Sequence, residues 1–538
     1  MMRVGLLVLL LGLLAPSGWA QSDPSAPRAR ALVPLSDLVS NDVRVLAPAG
    51  DSLWSGPLLT LYLEPEDRPS PETRLLVADA PALTEKENVV ASIAARNAPR
   101  QRSLVWAGLA FDTGGGEPGA GGFLVSTDGG DSFTRRGPHL DAPDDTTVQY
   151  GGATVPAVPI TQQASSTPQA LAFGPDADTT WVAGLRSGLR WSADGGQSWT
   201  RAVLPPDTSQ SIDPSTETNV LLAPPLEDGR GSSNHVAYSV LVDETGTVWA
   251  GTGRGVNRSR PGTTTPGGQR GWRRFGASDP GQGPPGDAVV ALAEQPRPDG
   301  RNPVWMAAWA SQQQGPGFQR FGVAVTPNGG DTFRRTLIGE RVYDLAARPA
   351  RVYAAAESGL FVSADQGRTW RSVERFPLRG DAVLPSTLTT RAVATTDAAL
   401  WVGTSEGLLR LDRSAEGRLL RENPEWQLFR AETPVNPEQP TEQVPDVATY
   451  AYPNPFVPSR DDLVRIAYEL DAPRTVTVTI YDFGMNRVRT ITEQKPAGQQ
   501  ETVWRGRDAQ GLRVPTGTYI YTVELGGRTV DGKIVVAN

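Results

Sequence analysis

The sequence predicts an all-β protein in which a ring of small antiparallel sheets is followed by a small antiparallel β-sandwich. Three observations support this fold: an octapeptide that recurs four times, an aromatic anchor that recurs seven times, and short alternating runs bounded by Gly, Asn and Asp. No long stretch has the 3.6-residue periodicity of a helix. The 57 glycines and 47 prolines suit a chain built from many turns.

The octapeptide has the pattern Ser/Thr-x-Asp/Asn-x-Gly-x-Ser/Thr-aromatic, and it occupies residues 126–133, 192–199, 326–333 and 363–370. Its carboxylate or amide oxygen can accept hydrogen bonds from its own turn, and its Gly can adopt a positive φ. The aromatic ring then enters the next strand and must be buried. The alternative is a carboxylate loop that binds calcium or a sugar. We predict structural roles for Asp128, Gly130, Phe133, Asp194, Gly196, Trp199, Asn328, Gly330, Phe333, Asp365, Gly367 and Trp370.

An aromatic anchor followed by small residues lies upstream of each turn. Successive anchors are 48 to 75 residues apart. Its seven occurrences are Trp54, Trp106, Trp181, Trp249, Trp305, Tyr353 and Trp401. Each interval has room for four short strands, with the anchor on the second and the octapeptide between the third and fourth. Seven such units predict a seven-bladed β-propeller over residues 28–432. The octapeptide is missing from the first unit, and residues 259–271 and 413–423 replace it in the fourth and seventh.

Charge and composition exclude several classes of function. The net charge is −8 and no basic block is present, so nucleic acid is not an expected partner. Residues 1–20 have the pattern of a secretory signal, with Arg3, an apolar run and a small-x-small end at Gly18–Ala20. That run is too short to span a bilayer, and no other segment is long enough, so we expect no transmembrane segment after signal removal. The absence of Cys excludes disulfides.

The octapeptide resembles the Asp-box, or BNR repeat, found in sialidases, some endoglucanases, sortilin-type receptors and plant-type photosystem assembly factors. The resemblance covers roughly residues 40–430. It implies a propeller, but it implies little about chemistry, because these proteins share a fold and not a reaction.

A second resemblance covers residues 446–538, after a Pro/Glu/Thr-rich linker at 433–445. Its order of motifs is similar to that of FlgD-type immunoglobulin-like domains and of the C-terminal sorting domains of type IX secretion in Gram-negative bacteria. This resemblance implies that residues 446–538 engage a type IX-like translocon and that the protein is secreted or displayed on the outer cell surface. The motif residues are Pro453, Asn454, Pro455, Asp482, Gly484, Gly517, Tyr519 and Lys533.

Long insertions point to one face of the predicted ring. They are residues 111–120, 138–168, 204–234, 276–286, 310–319 and 375–389. All of them join the second strand of a unit to the third, or the fourth to the next unit, and therefore lie opposite the octapeptide turns. The exceptions are residues 259–271, 413–423 and 65–71. Because irregular loops on a rigid scaffold carry binding residues, we expect the working surface on this looped face, around the central opening.

Four loop residues are candidates for ligand contact: His139, Tyr150, Arg230 and His235. The two histidines are the only ones in the chain, and we expect both to be solvent-exposed. A metal site would need three or four converging ligands, so we predict no metal and no cofactor. Tyr150 and Arg230 could contact a glycan.

Two classes of function remain open. The first is a non-catalytic propeller that binds a protein or glycan, with an adhesion or assembly scaffold as a variant of this class. The second is a carbohydrate-active enzyme, a hydrolase or lyase. The sialidase Arg-Ile-Pro signature is missing, since residues 42–56 contain only Arg44, and no motif selects the carboxylate pair of a glycosidase. An inward-facing cluster of carboxylates and arginines at the looped mouth is the feature that the enzyme hypothesis requires.

Overall fold

The computed structural model describes most of the chain outside its termini, some loops and the linker. The described residues are 32–34, 42–56, 59–62, 74–76, 89–96, 104–113, 118–164, 166–175, 178–216, 220–277, 283–311, 319–379, 383–385, 388–429, 447–459 and 461–537. The predicted signal at 1–20, the linker at 433–445 and the loop at 65–71 lie outside them.

Short strands make up the region of the predicted ring. In chain order they are β1 (Leu32–Pro34), β2 (Val45–Ala49), β3 (Ser52–Gly56), β4 (Thr60–Tyr62), β5 (Arg74–Leu76), β6 (Val89–Arg96), β7 (Leu104–Asp112), β8 (Pro118–Ser126), β9 (Thr134–Arg136), β10 (Thr147–Tyr150), β11 (Ala153–Pro156), β12 (Pro168–Phe173), β13 (Thr180–Gly184), β14 (Gly188–Ser192), β15 (Thr200–Arg201), β16 (Ser211–Ile212), β17 (Ala237–Val242), β18 (Val248–Thr252), β19 (Gly255–Ser259), β20 (Trp272–Phe275), β21 (Ala288–Glu294), β22 (Val304–Trp309), β23 (Gly322–Thr326), β24 (Arg334–Thr336), β25 (Val342–Arg348), β26 (Arg351–Ala356), β27 (Gly359–Ser363), β28 (Arg371–Val373), β29 (Thr390–Thr395), β30 (Ala399–Thr404), β31 (Gly407–Asp412) and β32 (Gln427–Phe429).

These strands form small antiparallel sheets, which we number 1 to 7 along the chain. Sheet 1 contains β2–β4, and sheets 2, 3, 5, 6 and 7 contain β6–β9, β12–β15, β21–β24, β25–β28 and β29–β32, each in sequential order. Sheet 4 contains β17–β20, with β16 added beyond β20 as a fifth strand. Sequential antiparallel order places the turn between the third and fourth strands on one face, as the octapeptide pattern predicts. All seven anchors lie on the second strands and are buried.

The sheets form a ring. Each innermost strand contacts the next, in the order β2, β6, β12, β17, β21, β25 and β29, and β29 returns to β2. The closure is a packed joint, because Val43, Leu53 and Tyr62 from the first sheet share a cluster with Trp401 and Leu408 from the last. The backbone N–H of Val43 also donates to the carbonyl of Thr404 (2.9 Å). The all-β class is confirmed; the count of seven blades stays our interpretation, since three strands of sheet 1 are described.

The long loops contain structure that the sequence does not predict. Strands β10 and β11 form a hairpin inside the 138–168 loop, and β1 pairs with β5. Two 3₁₀ helices are present among the described residues, Ser233–His235 and Arg413–Leu420. The second of these replaces the octapeptide in sheet 7.

The C-terminal region is a β-sandwich, as predicted. Its strands are β33 (Thr449–Tyr452), β34 (Val464–Leu470), β35 (Arg474–Tyr481), β36 (Arg487–Lys495), β37 (Gly498–Trp504), β38 (Gly517–Glu524) and β39 (Thr529–Val536). One sheet has the order β33-β34-β37 and the other β36-β35-β38-β39. Alternate residues from both sheets, among them Ile466, Val478, Trp504 and Tyr521, fill the core between them.

Candidate functional site

The octapeptide turns are closed by their own side chains. In the second copy the hydroxyl of Ser192 donates to Asp194 (2.7 Å), and the N–H and hydroxyl of Ser198 donate to the same carboxylate (3.0 and 2.5 Å). Although desolvation acts in the opposite direction, the hydrogen bonds from Ser198 and Ser192 lower the pKa of Asp194 to about 2. Equivalent bonds hold Asp128, Asn328 and Asp365. The carboxylates are therefore occupied by the turn itself, which fits the structural role.

The glycine and the aromatic residue of the octapeptide also join neighbouring sheets, a role that the sequence does not reveal. Gly196 has φ +83°, and a Cβ on it would lie 2.8 Å from the ring of Trp106, the anchor of the preceding sheet. Trp199 packs edge-on against the same anchor, with ring centroids 6.1 Å apart. Gly130 with Trp54, and Gly367 with Trp305, repeat this contact.

Gly330 follows the same rule with a different partner, the ring of Phe275. Phe333, the aromatic residue of that copy, packs on Phe275 with ring centroids 5.0 Å apart. Edge-on contacts also join Phe133 to Trp54 and Trp370 to Trp305. Each octapeptide thus packs its own sheet against the preceding sheet of the ring.

The expectation of exposed loop histidines is wrong. His139 is fully buried, and its Nε2 lies 2.6 Å from the hydroxyl of Ser187. His235 is 7% exposed, with Nε2 3.2 Å from the carbonyl of Arg186. Burial, together with the nearby Arg190, lowers the pKa of His139 to about 3 and that of His235 to about 4. Both rings are neutral parts of the packing where the loops 138–168 and 204–234 fold onto sheet 3.

An ion pair holds the first of these loops in place. Asp141 accepts from both terminal nitrogens of the fully buried Arg190 (2.5 and 2.9 Å) and from the N–H of Ile160 (2.7 Å). Arg201 adds bonds to the carbonyls of Asp145 and Thr147. These bonds therefore hold the loop against sheet 3.

Tyr150 and Arg230 are not brought together. Tyr150 is fully buried, and its hydroxyl donates to the carbonyl of Arg270 (3.0 Å). The side chain of Arg230 is 67% exposed and pairs with Asp228 (2.7 Å). Of the four candidate loop residues, Arg230 alone presents its side chain to solvent.

The innermost strands share an irregularity at the looped face. In sheets 2 to 7 the pairing between the first and second strands skips one residue at the start of the first strand. Such a β-bulge re-aims a side chain. The skipped residues are Ala91, Gln169, Tyr238, Val290, Tyr343 and Arg391, and Arg44 stands at the corresponding place before β2. These positions surround the looped end of the central opening.

Part of this opening is lined by a cluster that we name the mouth arc: Asp42, Arg44, Arg341, Tyr343 and Arg391. Asp42, 6% exposed, pairs with Arg44 and lies 3.5 Å from Nε of Arg391. The guanidinium groups of Arg391 and Arg341 lie 5.3 and 5.7 Å from the ring centroid of Tyr343. The arc therefore runs continuously across sheets 1, 7 and 6.

An aromatic wall supports Arg341. Its guanidinium lies 4.4 Å from the ring centroid of Trp309 and 6.0 Å from that of Phe321. Such cation–π contacts hold a cation without occupying its hydrogen-bond donors. Nη1 of Arg44 and Nε of Arg341 are buried and have no hydrogen-bond partner within the described part of the chain. The arc thus holds arginine donors that the described residues do not satisfy.

One carboxyl group next to the arc has a strongly shifted pKa. Asp344 follows Tyr343 on β25 and accepts from the N–H groups of Val393 (2.9 Å) and Leu345 (2.8 Å). Burial raises the pKa of Asp344 to about 7, against the lowering effect of those two bonds. The group is therefore partly protonated at neutral pH.

The opposite face carries a shallow cavity of about 350 Å³ between sheets 5 and 6. Its lining includes Gln295, Arg297, Asp299 and Ser363. The polar atoms of two of these already serve the fold, since Gln295 bonds to the carbonyl of Arg348 and to the indole of Trp305, and Ser363 closes an octapeptide turn. In the described residues no group of three or more His, Asp or Glu side chains could hold a metal ion.

The predicted motif residues of the sandwich fix its termini and turns. Asn454 bonds to the carbonyl of Lys533 (3.0 Å) and to the N–H of Val535 (2.8 Å), which ties the segment 453–455 to the last strand. Asp482 accepts from the side-chain amide and the backbone N–H of Asn486 (3.0 and 2.8 Å) in the turn that contains Gly484, and these bonds lower the pKa of Asp482. Gly517 begins β38, and the hydroxyl of Tyr519 donates to the carbonyl of Pro515 (2.8 Å).

Comparison with known families finds one match. The FlgD Ig-like domain matches residues 459–528, so the C-terminal sandwich contains such a domain. No curated protein sequence matches the chain. Among the described residues, no helix has the length and hydropathy needed to cross a membrane.

Three solved structures align with the chain at low sequence identity. PorZ of Porphyromonas gingivalis, an essential bacterial surface component of the type IX secretion system, is 15% identical over 92% of this chain and 75% of its own, with a TM-score of 0.35. A GH74 xyloglucanase from Xanthomonas campestris is 11% identical over 93% and 75%, with a TM-score of 0.49. YCF48 from Cyanidioschyzon merolae is 15% identical over 73% and 100%, with a TM-score of 0.39.

Proposed function

We propose that the protein is an exported binding protein whose ring is a seven-bladed propeller and whose mouth arc holds a glycan or protein ligand. The observation that carries this proposal is the set of arginine donors at the arc. Buried donors without partners are costly, and a ligand that presents carboxylate or hydroxyl oxygens would satisfy them. Half-buried Tyr343 and Phe321 would add apolar contact area, as rings do at sugar and peptide sites.

The octapeptide turns do not offer a comparable site. Their carboxylates are bound within the turns themselves, and the glycines at their fifth positions face rings of neighbouring sheets. A ligand there would have to compete with bonds that hold the fold. This contrast supports the looped face as the working surface.

Binding to a glycan microarray with carboxylated and neutral glycans tests the proposal. Arg391→Gln removes one donor group of the arc and should weaken binding at least tenfold, since charge-assisted hydrogen bonds contribute about 1.5–3 kcal/mol. Arg301→Gln is the matched control, because Arg301 is exposed on the opposite face. Equal losses in both variants would contradict the location. If no glycan binds, the ligand is a protein, and the same two variants are compared in capture of surface proteins.

A carbohydrate-active enzyme is the second candidate, and Asp344 favours it. A carboxylic acid that is half protonated near pH 7 has the property that a general acid requires, and Asp344 directly follows Tyr343 of the mouth arc on β25. A screen of aryl glycosides measures this activity directly. Turnover that Asp344→Asn abolishes would replace the binding proposal with this one.

The C-terminal domain is proposed to direct export. The FlgD-like match and the signal-like N-terminus support a role as a sorting module read by a type IX-like translocon, with final location in the medium or on the outer surface of a Gram-negative cell. Deletion of residues 446–538 should leave the protein in the periplasm. Continued surface display of the deleted protein would refute this role.

A further inference from the structure

One face of the sandwich is covered although it points away from the sandwich core. Along β34, the side chains of Val464, Ile466, Tyr468 and Leu470 enter the core, so Arg465 and Ala467 must point outward. Both are nevertheless buried, at 2% and 1% exposure. A single sandwich face that is exposed to solvent would not bury an arginine so completely.

The cover is the looped rim of sheet 7. Nη2 of Arg465 lies 3.0 Å from Oε2 of Glu406, in the turn between β30 and β31, and donates to the carbonyl of Val383 (2.9 Å). Within the sandwich, Nε of Arg465 lies 3.4 Å from Oε2 of Glu501. The guanidinium therefore joins two carboxylates from different domains.

The surroundings of Arg465 fit an interface. Tyr452 and Val503 flank it on the neighbouring strands, and Tyr450 packs against Tyr452 with ring centroids 6.0 Å apart. The hydroxyl of Tyr452 donates to Glu501. Tyrosines around a buried, multiply bonded arginine are the composition that protein interfaces favour at their centres.

We infer that the sheet β33-β34-β37 is a docking surface for the propeller, with Arg465 as its central contact, and that the C-terminal domain sits on the looped rim of sheet 7. The docking site adjoins the mouth arc, because Thr404, two residues before Glu406, accepts the hydrogen bond of Val43. A partner that binds the sheet β33-β34-β37 must first displace the propeller from it. The inference does not depend on which ligand the mouth binds.

A distance measurement across the two domains tests the docking. The chain has no Cys, so Asp397→Cys and Arg528→Cys, both exposed, place one spin label on each domain without further changes. Pulsed electron paramagnetic resonance on the full-length protein should give one narrow distance distribution. Arg465→Gln should replace it with a broad distribution. The variant leaves the carboxylate of Glu406 without its cationic partner and removes a hydrogen-bond donor from the interface.

Two further variants separate docking from folding of the sandwich. Glu406→Gln changes the propeller side alone and should also broaden the distribution. Arg505→Gln removes an ion pair with Asp462 inside the sandwich and should leave the distribution narrow. A broad distribution in the parent protein, or a narrow one in both Arg465→Gln and Glu406→Gln, overturns the inference.

Discussion

At the scale of single residues, the two middle positions of the octapeptide behave differently. The fourth position has a positive φ but no ring beside it: a Cβ on Gly195 would meet nothing within 4 Å, a Cβ on Gly329 would meet the guanidinium of Arg258, and Gln366 occupies this position with φ 65° in the last copy. The fifth position is Gly in all four copies, because its Cβ would strike a ring of the neighbouring sheet. The sequence predicts the turn, but the contact that forbids a side chain comes from another repeat and cannot be read locally.

Alanine at these two positions should therefore have unequal costs. Gly195→Ala should lower the free energy of unfolding by about 1–2 kcal/mol, the cost of a left-handed residue. Gly196→Ala should lower it by about 2–5 kcal/mol, since overpacking against Trp106 adds about 1–3 kcal/mol. Urea denaturation followed by Trp fluorescence measures both. Equal costs would mean that the contact with Trp106 does not constrain the fold.

Asp344 should make the stability depend on pH. Its folded pKa, about 7, is above the usual 3.8, so the unfolded chain loses the proton first as pH rises. Its contribution to stability therefore falls between about pH 4 and pH 7 and is constant above that range. Asp344→Asn mimics the protonated acid and should unfold like the parent at pH 4.5 but be more stable at pH 8. The same difference at both pH values would show that the acid does not titrate as described.

At the scale of elements, sheet 7 shows how the ring replaces an octapeptide. The 3₁₀ helix Arg413–Leu420 brings the fully buried Glu416 to the anchor of sheet 6. That anchor is Tyr353, and its hydroxyl donates to Glu416 (2.7 Å), while Arg348 pairs with the other oxygen (2.9 Å). Burial, followed by the charge of Glu416, raises the pKa of Tyr353. The only tyrosine among the anchors is thus the one whose contact with the next sheet is a buried carboxylate instead of an octapeptide.

Tyr353→Phe should consequently destabilise the protein by about 1–3 kcal/mol, because one oxygen of a buried carboxylate loses its donor. Tyr353→Phe combined with Glu416→Gln should recover part of this loss, since the buried charge is removed. Thermal unfolding monitored by circular dichroism measures both. A destabilisation that is the same with either residue at 416 would contradict the role of the pair.

The long loops are the elements that sequence reasoning describes least well. Their polar composition suggested exposed histidines, but they bury His139 and His235 by folding onto sheet 3 with the help of the Asp141–Arg190 pair. Those partners lie about fifty residues apart, and no local pattern connects them. The mouth arc cannot be predicted for a related reason: its members come from three sheets, and no local pattern connects Arg44 with Arg341 and Arg391.

At the scale of the whole molecule, the order of the sheets follows from the spacing of the anchors. A buried aromatic anchor on the second strand of each sheet indicates the order of the strands, and that order determines which loops lie on the same face. Ring closure and the docking of the sandwich could not be predicted, because each depends on a contact between segments that lie far apart in the sequence. The first joins Val43 to Thr404, and the second joins Arg465 to Glu406.

The central claim is that the mouth arc, and not the octapeptide face, is the binding surface. The most direct measurement is binding of the full-length protein to the glycan microarray, repeated with Arg391→Gln and Arg301→Gln. We expect Arg391→Gln to weaken binding at least tenfold and Arg301→Gln to leave it unchanged. Binding that depends on Arg301 and survives the loss of Arg391 would contradict it.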